Sequence, residues 1–351
     1  MQTISGFFQH FMRETFIRAV RNLAVIVGLT AVASLLVPAD VLACASCGCT
    51  LSSDWENLQF SYTPGLKLDL RYDYLNQNQL RSGTEAISPQ TASQMMSNGD
   101  MQEVEKYTKN NYLTLGIDYS RSHDWGVNIQ VPYINREHST LGTGSDGFSP
   151  ADGAYDSHTR NLGDIKIIGR YQGFTEKHNI GVLLGFKLAT GSYTETGTST
   201  DPTAPGPVPI DRGLQPGTGT TDVIFGAYYN NAINRYLGYF AQAQYQVALY
   251  STANYRPGNS LNVSLGLRYV GLDIIVPQLQ LNFREIDRDT GTSADIVSTG
   301  GTLLYISPGL VAAVTDRVSM YSFVQVPIYQ DVNGVQLAPH YIVTAGVRYA
   351  F

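Results

Sequence analysis

From residue 65 to the C terminus, apolar and polar side chains alternate with a period of two over most of the chain. Between Leu66 and Tyr74 every even position is apolar or aromatic and every odd position is charged, and a similar alternation runs through residues 341–351. A period of two places successive side chains on opposite faces of a β-strand. The pattern therefore predicts strands with one apolar face and one polar face.

Segments of similar length fill the chain between these two. Each is long enough to cross a bilayer as a tilted strand, which takes about 9–11 residues. With the first and last there are twelve, near 66–74, 108–119, 125–136, 162–173, 180–191, 221–230, 236–250, 260–270, 273–286, 301–313, 318–330 and 341–351.

The connections between these segments alternate in length. Long polar stretches at 78–107, 137–160 and 192–219 follow the first, third and fifth segments, whereas short turns such as 121–124 and 174–177 follow the even ones. Outer-membrane barrels sort their loops in this way, long outside and short in the periplasm. We therefore predict an all-β protein, a 12-stranded antiparallel up-and-down transmembrane β-barrel in the outer membrane, with both termini in the periplasm.

The N-terminal part of the chain has the pattern of an export signal. Three arginines precede the apolar run 23–37, and small residues follow at Ala43 and Ala45. A retained anchor helix is the alternative, but a spanning helix needs about 20 apolar residues. We predict a signal peptide over 1–43, cleaved after Ala43 or Ala45, then a periplasmic tail over 44–64 and the barrel over 65–351.

Composition narrows the function classes. Charged residues make up 15% of the chain, with 34 Gly and 23 Tyr, and the mean hydropathy is −0.11, which excludes a helical transporter and a disordered chain. The 23 basic residues face 29 acidic ones without a basic block, so no nucleic-acid partner is expected. Many tyrosines fall near segment ends, as an aromatic girdle in contact with outer-membrane lipid would require. The terminal Phe351 closes an alternating segment, which is typical of the signal read by the barrel assembly machinery.

Three short motifs resemble an outer-membrane β-barrel transporter family named for phenol degradation by the meta pathway. They are Asn161–Asp164, Gly185–Gly191 and Pro216–Asp222. The family commonly has a proline where this chain has Ala189. The resemblance implies the barrel fold and passage of aromatic compounds. The motif residues expected at the barrel rim are Gly163, Asp164, Gly217, Gly219 and Asp222.

Those rim residues also have a physical interpretation that is independent of the family. Glycines at strand ends allow bends and close backbone approach. Asp164 and Asp222 could cap rim amides or pair with Lys187, and this structural role is favoured over a substrate role.

The polar face of the segments would line the lumen. Eight of the ten candidates in the lumen are basic, and they comprise Lys67, Asp69, Arg71, Asp73, Lys166, Arg170, Lys187, Arg268, Arg284 and Arg348. Charges in a narrow barrel usually pair across strands and stiffen it. The functional alternative is a weakly cation-lined passage that favours small anionic solutes. The proline-rich stretch 192–219 is a candidate plug, although a surface loop is equally compatible with its sequence.

All three cysteines lie together at the start of the mature chain, at Cys44, Cys47 and Cys49. Residues 41–44 form a fair lipobox, which would make Cys44 a lipidated N terminus, while an ordinary cleavage after Ala45 would remove Cys44 and leave two thiols in the tail. Alternatively, the thiolates could bind a soft metal such as copper(I) or zinc.

The sequence contains no catalytic motif that we can assemble, so an enzyme is not expected. We predict passive passage of small solutes, aromatic or anionic, through the lumen. The alternative is a non-transporting anchor, or a metal or redox component that acts through the cysteine cluster.

Overall fold

The computed structural model of the chain describes residues 64–97 and 100–351. The predicted signal peptide and cysteine cluster lie outside the described residues, so their predictions stand as made. Among the residues that are described, no helix is long and apolar enough to cross a membrane.

The described chain is almost entirely β-structure. Its elements are β1 (Gly65–Gly83), β2 (Glu85–Ala86), α1 (Pro89–Ser93), β3 (Met96–Ser97), β4 (Asp100–Met101), β5 (Glu103–Ser120), β6 (Trp125–Thr143), β7 (Tyr155–Leu162), β8 (Lys166–Tyr171), β9 (Ile180–Lys187), β10 (Thr196–Ser199), β11 (Pro207–Pro209), the 3₁₀ turn η1 (Arg212–Leu214), β12 (Asp222–Ala232), β13 (Leu237–Ala248), β14 (Ser260–Tyr269), β15 (Ile275–Ile286), β16 (Gly301–Ala313) and β17 (Val318–Ala350).

Eleven of these strands close into a barrel. Going round the ring, the order is β6, β5, β1, β17, β16, β15, β14, β13, β12, β9 and β8, and β8 pairs back with β6. All of these pairs are antiparallel. The strands β2, β7, β10 and β11 pair onto the sheet outside this ring. The predicted all-β antiparallel closed barrel is therefore confirmed.

The ring has eleven strands where the sequence predicts twelve, because the last two predicted segments form the single 33-residue strand β17. Up to Val332 this strand pairs with β16, and from Val332 onward it pairs with β1. Gly334 has a φ of +47°, a left-handed conformation that glycine adopts without steric cost. The pairing partner of β17 thus changes from β16 to β1 at Val332, inside the stretch that the sequence pattern assigns to a loop.

Several strands also extend beyond their predicted ends, at the side of the barrel that we call the long-loop end. The strand β1 runs to Gly83 and β6 to Thr143, well into the stretches expected to be loops. Their extensions enclose a buried apolar cluster. The burial of these side chains offsets the conformational entropy that is lost when the chain is ordered there. The cluster consists of Leu80, Ala92, Val104, Leu141, Val335 and Leu337.

The two faces of the wall have the polarity of a membrane-spanning barrel. On β1, Leu66 and Leu70 are exposed on the outside, whereas Lys67, Asp69 and Arg71 are buried toward the lumen. This outward apolar belt recurs round the ring, with exposed leucines such as Leu184 on β9. A closed barrel satisfies its backbone hydrogen bonds between strands, so an apolar outer face can contact lipid.

Candidate functional site

The charged residues of β1 form a ladder inside the lumen. Arg348 Nη2 on β17 lies 3.2 Å from Asp69 Oδ1, and the Tyr321 hydroxyl donates to Asp69 Oδ2 at 2.9 Å. Arg71 Nε pairs with Asp73 Oδ2 at 2.9 Å. The side chains of Arg348, Asp69, Arg71 and Asp73 are all buried. Most of this charge is therefore neutralised within the wall.

A second pair joins β5 to β8. Arg170 donates to both carboxylate oxygens of Asp118, at 2.5 and 3.0 Å, in the two-pronged geometry that arginine forms with carboxylates. Lys67 lies opposite Asp118 in the β1–β5 register. Arg268, on β14, lies opposite Gly238 and is half-buried. The sequence-predicted lumen residues near the short-turn end are thus mainly engaged with one another.

At the other end, a buried cluster joins the two rim aspartates through one lysine, and we call this cluster the clamp. Lys187 Nζ, at the end of β9, lies 3.0 Å from Asp164 Oδ2 and 3.2 Å from Asp222 Oδ2. Lys187 also donates to the hydroxyl of Thr218. Asp164 accepts from the backbone amides of Gly191 and Thr218, at 2.9 and 3.0 Å. The clamp therefore attaches the chain segment before β12 to the barrel wall.

The rim glycines make this attachment possible. A Cβ atom on Gly217 would lie 2.4 Å from the carbonyl oxygen of Gly191 and 2.7 Å from Asp164 Oδ1, so a larger residue would separate the two segments. Gly219 has a φ of +74°, in the left-handed region. Gly163 donates its backbone amide to the carbonyl of Pro132 and lies beside the same segment.

The segment held by the clamp lies inside the barrel. Leu214 is fully buried and packs with Tyr155 and Ile210, and Arg136 of β6 donates to the carbonyl of Gly213 at 3.4 Å. We call residues 210–218 the inward segment. The strands β10 and β11, in the same stretch 192–219, instead extend the sheet, since β10 pairs with β7 and β11 pairs with β10.

Beneath the inward segment lies a cavity of about 250 Å³. It is bordered by β1, β5, β6, β8, β15 and the inward segment, so it occupies the lumen itself. Its wall carries six basic and three acidic side chains, which are Arg71, Arg136, Lys166, Lys187, Arg212, Arg284, Asp164, Asp222 and Asp289. The cavity is smaller than the roughly 300–1,000 Å³ of drug-sized pockets, so it suits small solutes.

Two arginines at this cavity each have one side-chain N–H group that forms no hydrogen bond with the described residues. Arg284, which is 8% exposed, has a buried Nε without a hydrogen-bond partner among the described residues, and so does Arg212. The Arg212 guanidinium lies 4.7 Å from the ring centroids of both Tyr193 and Tyr255. Unpaired guanidinium N–H groups are suited to bind a carboxylate or another anion.

Above the cavity, toward the long-loop end, lies a recess of about 40 Å³ whose charged lining is mainly acidic, whereas that of the cavity is mainly basic. Arg212, Gly213, Tyr255 and Asp289 border both spaces. The recess is lined by five carboxyl groups, those of Glu103, Glu105, Asp211, Asp289 and Asp295.

Desolvation raises the pKa of Asp289, which lies in the loop after β15, to about 6, and the neighbouring Asp295 acts in the same direction. The negative charge of the recess therefore decreases as the pH falls through about 6.

Sequence reasoning did not find Arg136, Arg212, Tyr255 or Asp289. Arg212, Tyr255 and Asp289 lie outside the strands of the ring, where side-chain periodicity gives no indication of direction. Arg136 lies at the last position of the predicted segment 125–136. In the structure the strand β6 continues to Thr143, so Arg136 belongs to the barrel wall. Only the proline-rich composition of 192–219 pointed to the inward segment.

Comparisons with known proteins give a fold and no family. No family model matches the chain, and no curated protein matches it. An outer-membrane channel from Pseudomonas putida F1 superposes with a TM-score of 0.57 at 11% sequence identity, covering 82% of this chain and 96% of that one. The CymD monoaromatic hydrocarbon channel gives a TM-score of 0.44 at 10% identity, covering 86% and 94%. The first similarity shows that the chain has the fold of an outer-membrane channel barrel.

Proposed function

We propose that the protein is an outer-membrane channel through which small anionic solutes, aromatic carboxylates among them, diffuse passively. The observation that carries the proposal is the lumen cavity with its surplus of basic side chains. The apolar outer belt and the shared barrel fold support a location in the outer membrane. No catalytic role is part of the proposal.

The class of solute follows from the lining of the cavity. Arg212 and Arg284 offer guanidinium N–H groups for a carboxylate. Tyr112, Ile134 and Tyr255 add aromatic and apolar surface for a ring. The resemblance to the family named for phenol degradation supports the same choice of an aromatic solute.

The membrane topology is also part of the proposal. Because the two halves of β17 pair with different neighbours, we treat them as separate crossings, which gives twelve in all. An even number places Gly65 and Phe351 at the same end, and they do lie close together, since the Phe351 amide donates to the carbonyl of Leu66. We assign this short-turn end, with both termini, to the periplasm.

Ion selectivity in planar bilayers tests the function. We expect the purified protein to conduct in a KCl gradient with a reversal potential that favours chloride, and liposomes that contain it to admit benzoate. The Arg284→Gln variant should lose part of the anion preference, because it removes a buried positive charge from the cavity. The matched control is Arg235→Gln, at an exposed position in the turn between β12 and β13. A barrel that neither conducts nor admits benzoate would refute the proposal.

The alternative function, a metal or redox component acting through Cys44, Cys47 and Cys49, concerns residues outside those described. Nothing in the described part of the chain favours it over a channel. Lipidation of Cys44 and binding of a soft metal at the three cysteines remain predictions from the sequence.

A further inference from the structure

A buried histidine lies near two of the carboxyl groups that line the acidic recess at the long-loop end. A ring nitrogen of His138 and carboxylate oxygens of Glu103 and Asp211 all lie within 4.8 Å of one another. The three residues come from β6, β5 and the inward segment, so only the folded barrel brings them together. They play no part in the cavity described above.

The state of the histidine suits a metal ligand. His138 is 1% exposed, and its Nδ1 lies 2.8 Å from the hydroxyl of Thr108. Its Nε2 is buried and has no hydrogen-bond partner among the described residues. Metal-bound histidines commonly have the second ring nitrogen fixed by a hydrogen bond, which leaves the first free to coordinate.

The surroundings of the histidine support the same conclusion. The nearby Arg136 is occupied, since it donates to Asn110 and Tyr112 at 2.6 and 2.8 Å. Burying a neutral imidazole nitrogen without a partner is costly unless something binds it.

We infer that Glu103, His138 and Asp211 form a site for a divalent transition metal of the zinc class. One imidazole and two carboxylates suit zinc better than calcium, which prefers oxygen ligands alone. Ligands of tetrahedral zinc lie about 3.3 Å apart, given bonds of about 2.0–2.2 Å. The three groups therefore have to approach one another slightly, and the Asp211 carboxylate would have to turn from the Tyr155 hydroxyl, which donates to its Oδ2 at 2.7 Å.

The site would connect metal binding to the inward segment. Asp211 directly precedes η1, which carries Arg212 across the lumen, while Glu103 and His138 belong to the barrel wall. A bound metal would therefore fix the inward segment to the wall. On the basis of the proposed channel function, we expect zinc to lower the conductance.

Zinc titration of the purified full chain tests the site. The cysteines are first alkylated with iodoacetamide so that they cannot coordinate, and binding of Zn²⁺ is followed by calorimetry in detergent. We expect one site per chain that weakens at least tenfold in His138→Gln and in Asp211→Asn, since even the loss of a group that only hydrogen-bonds to a metal ligand costs about 10–100-fold in affinity. The matched control is His178→Gln, which removes a histidine from the turn between β8 and β9 and should leave the site unchanged.

Circular dichroism and heat-modifiable migration test whether each variant is folded. If His138→Gln does not fold, Asp211→Asn, which changes an exposed position, still tests the site. Equal zinc affinity in Asp211→Asn and the parent would refute the site. The conductance measurement separates this inference from the channel function. Zinc binding without any conductance refutes only the channel, whereas conductance without zinc binding refutes only the site.

Discussion

The ammonium nitrogen of Lys187 lies 3.0 Å from a carboxylate oxygen of Asp164, at the point where the barrel wall meets the inward segment. Both side chains are less than 9% exposed, and the same carboxyl group accepts the amide of Thr218. One buried ion pair thus connects the strand β9 to the segment that crosses the lumen. Its removal should affect both the stability of the barrel and its permeability.

We expect Lys187→Met to destabilise the barrel by about 3–5 kcal/mol, because it leaves two buried carboxylates, Asp164 and Asp222, without their cation. Urea unfolding from lipid vesicles measures the loss. The control is Lys109→Met, whose exposed pair with Glu137 spans 3.9 Å and should contribute no more than about 1 kcal/mol. Equal losses in the two variants would contradict the role assigned to the clamp.

Arg212→Ala should raise the single-channel conductance severalfold and reduce the preference for anions. The variant removes a guanidinium that donates to the carbonyl of Thr218 at 2.7 Å and lies between the cavity and the recess. Planar-bilayer recordings measure both quantities. Arg160→Ala, at an exposed position of β7, is the control and should conduct like the parent. An unchanged conductance in Arg212→Ala would show that the inward segment does not limit passage.

Anion selectivity should rise as the pH falls from 7 to 5. Desolvation raises the pKa of Asp289 to about 6, so this carboxyl is charged above that pH and neutral below it. Its protonation increases the positive surplus in the cavity that Arg212 also lines. Reversal potentials at several pH values measure the change. Asp289→Asn should abolish the dependence in this range, whereas Asp287→Asn, at an exposed position nearby, should retain it.

The long-loop end should face the outside of the cell. An epitope tag inserted after Ala204, in an exposed turn between β10 and β11, should bind antibody on intact cells. The same tag after Glu176, in the short turn between β8 and β9, should bind only after the outer membrane is opened. The opposite pattern would invert the proposed topology.

Phe351→Ser should lower the fraction of chains that assemble in the outer membrane. The ring of Phe351 is 66% exposed and contacts Tyr349 edge-on, at 4.8 Å between centroids, so it is available for recognition by the barrel assembly machinery. Heat-modifiable migration of membrane fractions gives the folded fraction. Phe174→Ser, at a similarly exposed position in a turn, is the control. Equal assembly of both variants would argue against recognition through the C terminus.

The barrel and the direction of its strand side chains could be predicted from the order of residues alone. The alternation along β1 places Lys67 and Asp69 inside and Leu70 outside, because the period of a strand is a local property that neighbours do not alter. For the same reason the position of Arg348 beside Asp69 could be anticipated once the last strand is closed against the first.

The arrangement of the chain beyond the strand ends could not be predicted in this way. The inward segment meets Lys187 through Thr218, a contact between residues far apart in the chain. Glu103, His138 and Asp211 come together in the same way. Loop side chains have no period that fixes their direction, so their positions depend on packing and on ion pairs that form only after the barrel has closed.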